Sequence, residues 1–373
     1  MKAVAVFPSE KRFDVIDHPE PKISSDTEVK MRMLDVGICG TDKEIVSFQY
    51  GTPPDGSKYL VIGHESLGEV VEVGPKVTHV KKGDLAVATV RRPCPVPTCI
   101  ACRAGRQDFC YTGEYTERGI MRRHGYMTEL VVEDEQYLNP VPGNLRDVAV
   151  LVEPLTIAEK GIAQLWEIQR RLPWTLPVEA GEPPAHGRNA LVLGAGPVGL
   201  LGAMKLVLEG FDTTVYSRTA GSVDVAALVT SIGAKFVHAE DVDVPTVAKQ
   251  IGNVDVVYEA VGASSLAFEV IEYLGTNGVF IFTGVPGRKG PIDVDTDRIM
   301  RDAVLKNQII FGTVNAAPVH FQHAISDIGS FMQRWPDAVR TLITKRFPID
   351  QAAEPLQGKS PGIKNVIAVS AGS

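Results

Sequence analysis

The fold of this chain is decided by the stretch Asn189-Ala190-Leu191-Val192-Leu193-Gly194-Ala195-Gly196-Pro197-Val198-Gly199. An apolar strand pattern ends at Leu193, three glycines follow in the spacing G-x-G-x-x-G, and a helical pattern runs on to about Glu209. Such a turn lets the backbone approach a pyrophosphate at the N-terminus of the helix. The stretch therefore predicts a dinucleotide site, whose cofactor-binding residues are Gly194, Gly196, Pro197, Val198 and Gly199.

Strand and helix patterns alternate beyond this turn. Apolar strand patterns recur at Thr213–Tyr216, Val254–Tyr258, Gly278–Phe282 and Gln308–Gly312, and a helical pattern covers Val225–Ile232. Because strands joined through helices are connected by right-handed crossovers, this order predicts a parallel sheet. We therefore expect residues 188–313 to form a Rossmann domain, an α/β fold with a doubly wound parallel sheet.

The end of the second strand indicates which dinucleotide is preferred. An NAD-binding protein usually places Asp or Glu there to accept a hydrogen bond from the ribose 2′-hydroxyl, whereas this chain has Ser217, Arg218 and Thr219. A hydroxyl and a guanidinium suit a 2′-phosphate, since Arg offers charge and a bidentate fork. These residues predict a preference for NADP, with NAD also accepted. The alternative is an exposed Arg beside a site that uses either cofactor.

Short β-strand patterns dominate the first 150 residues. They include Glu28–Val36, Gly68–Val73 and Asp84–Val90, each bounded by Gly, Pro or charged turns. Further along are a helical pattern at Val148–Ile168, a linker pattern at Leu172–Gly187, a helix at His320–Met332 and a strand at Lys364–Val369. We expect a β-rich domain over residues 1–187 and a C-terminal segment, residues 314–373, that returns to it.

Composition excludes several classes of protein. The 373 residues are 44% hydrophobic and 22% charged, as in an ordinary soluble globular protein, and the net charge of −7 offers nucleic acid no positive field. The apolar runs are shorter than the roughly 20 residues that cross a membrane, and the N-terminus lacks the apolar core of an export signal. We therefore expect a cytoplasmic protein with neither a nucleic-acid partner nor a membrane partner.

Four of the five cysteines lie between residues 94 and 110. Cys94, Cys99, Cys102 and Cys110 follow the spacing C-x4-C-x2-C-x7-C. Four thiolates can close a tetrahedron around zinc, whose structural sites favour sulfur ligands. Disulfide pairing is the alternative, and the expected reducing compartment disfavours it. The spacing therefore predicts a structural zinc site.

The fifth cysteine is free for a second metal site. Cys39 follows a strand pattern, the pair His64 and Glu65 comes later, and Glu153 lies in the helical pattern after the first strands. Cys, His and carboxylate groups are suitable zinc ligands, and three protein ligands leave one place for substrate or water. Each residue alone is more often structural. Together with the dinucleotide site they predict a catalytic zinc, on which an alcohol is acidified toward alkoxide.

These motifs together resemble the zinc-containing medium-chain dehydrogenase/reductase superfamily, over nearly the whole chain. The resemblance rests on Cys39-Gly40-Thr41-Asp42, on Gly63-His64-Glu65, on the cysteine loop and on the later G-x-G-P-x-G. Finer motifs resemble its glucose 1-dehydrogenase branch, namely Cys39-Gly40-Thr41-Asp42-Lys43-Glu44, Gly105-Arg106-Gln107-Asp108-Phe109-Cys110, Thr112-Gly113-Glu114, Glu153-Pro154-Leu155, Gly312-Thr313-Val314-Asn315 and His320-Phe321-Gln322-His323-Ala324. The resemblance implies a GroES-like catalytic domain over residues 1–187, two zinc ions per chain and a homo-oligomer, commonly a tetramer.

The resemblance also implies roles for single residues. Cys39 and His64 would ligate the catalytic zinc, with Glu65 and Glu153 as its adjustable carboxylates. Thr41 would pass the substrate proton outward and contact a sugar hydroxyl. The sugar would also be held by Glu114, Glu153 and Asn315, and the cofactor would be contacted by Thr283, Gly284, Val285, Thr313, Val314, Asn315 and Lys364. The alternatives are a solvated loop carboxylate for Glu114, a turn residue for Asn315 and a surface lysine for Lys364.

The chain departs from the branch at two places. Four residues, including Pro95 and Pro97, separate Cys94 from Cys99 where two are usual, and this enlarges the zinc loop or weakens the site. Thr89 stands where an Asn is common among the sugar contacts. The choice of sugar is therefore less constrained than the class of reaction.

The sequence thus predicts a zinc-dependent, NADP-preferring oxidation of the C1 hydroxyl of an aldose to the lactone. D-Glucose is the expected substrate, with galactose or xylose also accepted, and hydride would pass to the nicotinamide in a cleft between the domains. The nearest rival is a polyol or secondary alcohol dehydrogenase. The rival from another class is a non-enzymatic nucleotide-binding protein, which typically lacks the metal ligands that Cys39, His64 and Glu153 would supply.

Overall fold

The computed structural model describes residues 1–173, 183–218, 224–287, 290–358 and 360–370. It divides into two compact units, one made of Met1–Thr156 with Asn315–Ser373 and the other of Ile157–Val314. Most of the linker pattern at Leu172–Gly187 lies outside the described residues.

The first unit begins with short strands, as the sequence predicts. They are β1 (Lys2–Phe7), β2 (Arg12–Asp17), β3 (Glu28–Gly37), β4 (Leu60–Val61), β5 (Glu65–Val73), β6 (Leu85–Ala88), β7 (Arg91–Arg92), β8 (Thr116–Arg118), β9 (Arg122–Arg123), β10 (Leu130–Asp134) and β11 (Leu138–Val141). The helices in the same part of the chain are α1 (Gly40–Val46), α2 (Ile100–Arg103) and α3 (Val152–Gln169).

The second unit alternates strands and helices. Its elements are β12 (Asn189–Leu193), α4 (Pro197–Glu209), β13 (Asp212–Ser217), α5 (Val225–Ser231), β14 (Lys235–His238), α6 (Val244–Ile251), β15 (Val256–Glu259), α7 (Ser264–Ile271), β16 (Val279–Phe282), α8 (Thr296–Leu305) and β17 (Ile309–Gly312). The chain then returns to the first unit with α9 (Pro318–Arg334), α10 (Pro336–Leu342), β18 (Ile343–Pro348), α11 (Ala353–Gln357) and β19 (Lys364–Ala368).

The main sheet of the first unit has the strand order β11-β6-β5-β3-β19-β18, and β10 also pairs with β3. Strand β3 alternates between buried and partly exposed residues as far as Met33, as a strand with one core-facing side does. From Leu34 to Gly37 every residue of β3 is buried. The end of β3, which leads directly to Cys39, therefore lies inside the unit.

The sheet of the second unit confirms the predicted doubly wound α/β fold. Its strands are parallel in the order β14-β13-β12-β15-β16-β17, which is the order of two mononucleotide-binding halves. Side chains from both the strands and the crossover helices fill one face, namely Leu191, Leu193, Tyr216, Val244, Val247, Val254, Val257, Ala267, Val270, Ile271, Leu274 and Phe280.

The division between the units differs from the sequence-based one, which placed residues 157–187 in the first domain. The reason is the packing of α3. Its later turns contact the second unit, where Trp166 stacks on Phe211 with ring centroids 5.9 Å apart. Gln169 donates a hydrogen bond to the carbonyl of Asn277 at 3.0 Å. Helical periodicity locates α3 but not the elements against which it packs.

Among the helices in the described part of the chain, none combines the length and the apolar character that a membrane crossing requires.

Candidate active site

Asp42 connects the loops that carry Cys39 and His64. It lies in the first turn of α1, and its Oδ2 accepts a hydrogen bond from the amide of Cys39 at 2.9 Å. Its Oδ1 accepts one from the amide of Gly63 at 3.2 Å and lies 3.6 Å from Nδ1 of His64. Asp42 is fully buried. The role of Asp42 was not predicted from the sequence. Its position, three residues after the residue that precedes the helix, is that of a helix-capping acid.

The ligand atoms of Cys39, His64 and Glu65 all lie within 4.8 Å of one another. They come from the loop before α1, the loop before β5 and the first residue of β5. One sulfur, one nitrogen and one oxygen donor suit zinc, and three protein ligands leave one coordination position open. The donor set therefore fits the metal that the sequence predicts.

Glu65 is held in place by a glycine and a lysine. A β-carbon at Gly37, its register partner on β3, would collide with Oε2 of Glu65, so only glycine leaves room there. From β19, Lys364 donates hydrogen bonds to Oε1 and Oε2 of Glu65, each at 2.6 Å, and to the carbonyl of Ile38 at 3.0 Å.

These contacts account for the N–H donors of Lys364, whose expected contact with the cofactor stays a prediction. An ammonium group has three N–H donors, and Glu65 and Ile38 accept from Lys364 at three positions. The side chain is 2% exposed, so it is not a surface lysine. Lys364 supplies a buried positive charge beside the carboxylate of the metal site.

Glu153 lies in the first turn of α3 and is not a member of this close group of described residues. Burial raises the pKa of its carboxyl group to about 7; Glu65 adds to the increase, while His64 and Lys364 oppose it. Burial opposes protonation of His64, but Asp42 and Cys39 outweigh it and raise the pKa of His64 well above its ordinary value. A site with this excess of acidic groups favours a cation.

Thr41 lies next to the metal group. The sulfur of Cys39 is 3.8 Å from Oγ1 of Thr41. The hydroxyl is thus placed beside the coordination site, as the predicted proton-relay role requires.

The four remaining cysteines come together in the loop between β7 and β8. The sulfur atoms of Cys94, Cys99, Cys102 and Cys110 lie within 4.8 Å of one another. All five cysteines are in the described part of the chain, and none forms a disulfide. The two extra residues before Cys99 are taken up by a turn, in which the Cys99 amide donates to the carbonyl of Val96 at 3.1 Å. The donor set fits a closed four-thiolate zinc site.

Two of the predicted sugar-binding residues are linked to arginines, Glu114 directly and Asn315 through Glu117. Glu114 is exposed and accepts a hydrogen bond from Arg122 at 3.1 Å. Asn315 has a φ of 59° and donates from Nδ2 to Oε1 of Glu117 at 3.0 Å. Nε of Arg91 donates to the same Glu117 oxygen at 3.0 Å. Glu117 and Arg91 are buried. Neither was predicted from the sequence, since no local motif links positions so far apart.

Thr89, one of the two departures, is also tied to an arginine. Its carbonyl and hydroxyl oxygens accept from the guanidinium of Arg92 at 2.8 Å and 3.1 Å. Thr89 is fully buried. Its hydroxyl therefore has a structural partner in this chain.

The glycines after β12 have the geometry that a dinucleotide cradle needs. Gly194 has a φ of 97°, and a β-carbon there would lie 2.6 Å from Val261. A β-carbon at Gly199 would collide with the carbonyl of Gly194, whereas one at Gly196 would meet nothing within 4 Å. The turn is thus closed at its first and third glycines and open at the second, where a pyrophosphate approaches the backbone.

Apart from Asn315 and Lys364, the other described residues predicted to bind the cofactor lie at the ends of strands in the same unit. Ser217 ends β13, and Arg218 after it is exposed; Thr219 lies outside the described residues. Thr283, Gly284 and Val285 follow β16, while Thr313 and Val314 follow β17. In a parallel sheet, ligands bind at the carboxyl ends of the strands. Asn315 belongs to the first unit.

Comparison with known proteins agrees with this organisation. Residues 25–143 match the alcohol dehydrogenase GroES-like domain, and residues 146–369 match the glucose dehydrogenase C-terminus family. The chain is 38% identical to glucose 1-dehydrogenase of Methanocella arvoryzae over 100% of both chains, and 38% identical to that of Thermoproteus tenax over 99% of both. It superposes on Haloferax mediterranei glucose dehydrogenase in complex with NADP, Zn and gluconolactone with a TM-score of 0.87, at 31% identity over 100% of both chains.

Proposed function

Because the chain belongs to the glucose dehydrogenase branch of the zinc-containing medium-chain dehydrogenase/reductase family, we propose that it oxidises the C1 hydroxyl of D-glucose to D-glucono-1,5-lactone with NADP as the hydride acceptor. As a member of that family it is an NAD(P)-dependent oxidoreductase. The observation that carries the proposal is the grouping of Cys39, His64 and Glu65. It supplies an open metal site in a chain that matches named glucose 1-dehydrogenases over its whole length.

The residues of the first unit have different roles in the oxidation of the alcohol. Cys39, His64 and one of the two carboxylates, Glu65 or Glu153, would hold zinc, which when bound acidifies a coordinated hydroxyl as a Lewis acid. Thr41 takes the proton from the substrate hydroxyl and passes it outward. Asp42 fixes the Cys39 and His64 loops. Glu114, Glu153 and Asn315 hold the sugar, since each buried hydroxyl needs a hydrogen-bond partner.

NADP fits the second unit. The open backbone at Gly196 accommodates the pyrophosphate, and the loops at 283–285 and 313–314 border the nicotinamide. Ser217 and Arg218 would take the 2′-phosphate, because β13 ends without an acidic residue at this position. NAD is accepted less well, for want of a partner for its ribose hydroxyls.

A second zinc is held by Cys94, Cys99, Cys102 and Cys110, in a structural role. Thiols that must stay free to bind metal require a reducing compartment, and we place the enzyme in the cytoplasm.

We propose that the enzyme is a homo-oligomer, a tetramer, in which a second copy of the chain covers β17. This strand pairs only with β16 in the sheet of the described residues, so its other edge can pair with the same edge of a copy about a two-fold axis. The neighbouring apolar side chains are exposed, namely Met300, Val304, Leu305 and Ile310. Light scattering after size-exclusion chromatography measures the oligomeric state; a monomer would contradict the pairing of β17, and a dimer would contradict the tetramer.

The function is tested with initial rates on glucose, galactose, xylose, sorbitol, threonine and a simple secondary alcohol, each with NADP and with NAD. We expect glucose with NADP to be fastest, zinc to be present at two equivalents, and Cys39→Ala to abolish turnover. No turnover of any aldose would refute the sugar assignment. Turnover in Cys39→Ala would remove zinc from the mechanism.

A further inference from the structure

Glu259 is a buried carboxylate to which the family resemblance assigns no role. It ends β15 and is 1% exposed. Its Oε1 accepts hydrogen bonds from the amides of Val261 at 2.8 Å and Gly262 at 2.7 Å, and its Oε2 accepts one from the amide of Gly284 at 3.1 Å. One side chain therefore joins the loop after β15 to the loop after β16.

The main chain of Glu259 strengthens the same connection. Its carbonyl oxygen accepts from the amide of Thr283 at 3.0 Å and from the Thr283 hydroxyl at 2.7 Å. Five donors from two loops thus converge on a single residue. Two of the residues that it holds, Thr283 and Gly284, belong to the stretch assigned to the nicotinamide.

The two loops are in direct backbone contact with little free space. A β-carbon at Gly284 would collide with the amide nitrogen of Gly262, and one at Gly262 would lie 2.7 Å from the carbonyl oxygen of Val285. The loop after β15 also reaches the first glycine of the dinucleotide turn, where a β-carbon at Gly194 would lie 2.6 Å from Val261. The two loops that Glu259 joins therefore have little room to change their mutual position.

We propose that Glu259 is a positioning residue for the dinucleotide. It fixes the loop at 283–285 against Val261 and Gly262, so that the nicotinamide end of the cofactor meets a preformed surface. Only a carboxylate can do this, because it offers two acceptor oxygens and no donor. A glutamine at 259 has one acceptor, and its NH2 group would face an amide N–H of one of the two loops. The proposal depends on the binding of NADP and not on the identity of the sugar.

The test measures the Kd of the Glu259→Gln variant for NADPH and for adenosine 2′,5′-bisphosphate, by fluorescence or calorimetry. Losing the hydrogen bonds of one loop to a charged acceptor is expected to raise the Kd for NADPH about tenfold or more. The Kd for the bisphosphate, which lacks the nicotinamide half, stays within about twofold of wild type. The matched control is Glu269→Gln, an exposed carboxylate on α7 of the same unit, and it should bind both ligands as wild type does.

Two results would overturn the proposal. One is an unchanged Kd for NADPH in Glu259→Gln, and the other is an equal loss for NADPH and the bisphosphate, which would indicate general damage to the unit. If the variant does not fold, hydrogen exchange of the wild-type enzyme decides. The amides of Val261, Gly262 and Gly284 should then exchange slowly and together, and rapid exchange like that of exposed loops refutes the role. If the enzyme oxidises none of the sugars tested, the ligand-binding and hydrogen-exchange measurements still test the role of Glu259.

Discussion

Lys364 donates hydrogen bonds to both carboxylate oxygens of Glu65, each at 2.6 Å. The two residues are 299 positions apart in the sequence, and each side chain is 2% exposed. The C-terminal strand thus places a positive charge beside a carboxylate of the metal site. A buried charge that loses its partner is costly, so this pair can be tested directly.

We expect Lys364→Met to lower the free energy of unfolding by about 3–5 kcal/mol, since it leaves Glu65 without its cation. Denaturant unfolding of the purified enzyme measures the change. The matched control is Lys345→Met, which removes the exposed pair between Lys345 and Glu354 and should cost no more than about 1 kcal/mol. The double variant Lys364→Met/Glu65→Gln should recover part of the loss. Equal losses of stability in Lys364→Met and Lys345→Met would contradict the prediction.

Acid should destabilise the first unit through Glu133. Burial of this carboxyl group opposes its ionisation, but Arg118, Arg92 and Arg123 outweigh burial and lower its pKa to about 2. Because the folded-state pKa lies below the ordinary value of 4.5, ionised Glu133 stabilises the fold above about pH 4.5, and this contribution is lost as the pH falls toward 2.

The check is the free energy of unfolding between pH 4.5 and 2, with and without Glu133→Gln. The wild type should lose about 3 kcal/mol more than the variant over this range. Glu240→Gln, at an exposed position, should retain the wild-type slope. Parallel curves for wild type and Glu133→Gln would contradict the argument.

Glu117 should act on the sugar through Asn315. Its Oε1 accepts from Asn315 and from Arg91, so Glu117→Gln is expected to loosen the Asn315 amide and raise the KM for glucose about tenfold. The KM for NADP should not change. The exposed Glu72→Gln serves as the control. Effects of Glu117→Gln and Asn315→Ala that simply add would mean that the two residues act separately.

Arg218 should decide between the two dinucleotides. Arg218→Ala removes the proposed charge-assisted contact with the 2′-phosphate and should lower kcat/KM for NADP about tenfold or more, with little change for NAD. Steady-state kinetics with both cofactors measure the ratio, and Lys249→Ala, at an exposed position on α6, is the control. Equal or better efficiency of the wild type with NAD would refute the NADP preference itself.

The two zinc sites should be separable by mutation. Cys102→Ser is expected to reduce the metal content from two equivalents to one and to lower the Tm, because a structural zinc contributes directly to folding. Turnover at low temperature should persist. Cys39→Ser should also lose one equivalent but abolish turnover. Two equivalents of zinc in Cys102→Ser would contradict the four-thiolate assignment.

Features encoded within a few residues could be predicted from the sequence. The strand–turn–helix at residues 189–209 and the grouping of Cys94, Cys99, Cys102 and Cys110 depend on local spacing, and the structure has both. Strand β18 (Ile343–Pro348) and helix α8 (Thr296–Leu305) show no apolar pattern in the sequence, since both carry charged residues and are largely exposed. Neither element was predicted.

Partners distant in sequence were beyond such reasoning. Nothing near Lys364 signals that it reaches Glu65, and nothing near Glu259 signals that its oxygens accept from Gly284 as well as from Val261. These contacts arise from the order of strands in the two sheets. The sequence predicts which residues carry the chemistry more readily than it predicts which residues hold them in place.

The cysteine loop makes the enzyme vulnerable to oxidation once its metal is removed. The sulfur atoms of Cys99 and Cys110 lie 3.9 Å apart. Burial opposes ionisation of Cys110, but hydrogen bonds with Thr112 and the neighbouring thiols outweigh it and lower its pKa to about 6. A thiolate at neutral pH reacts readily with oxidants. Chelation followed by exposure to air should therefore convert these thiols to disulfides, and purification under a thiol reductant with added zinc should keep them reduced.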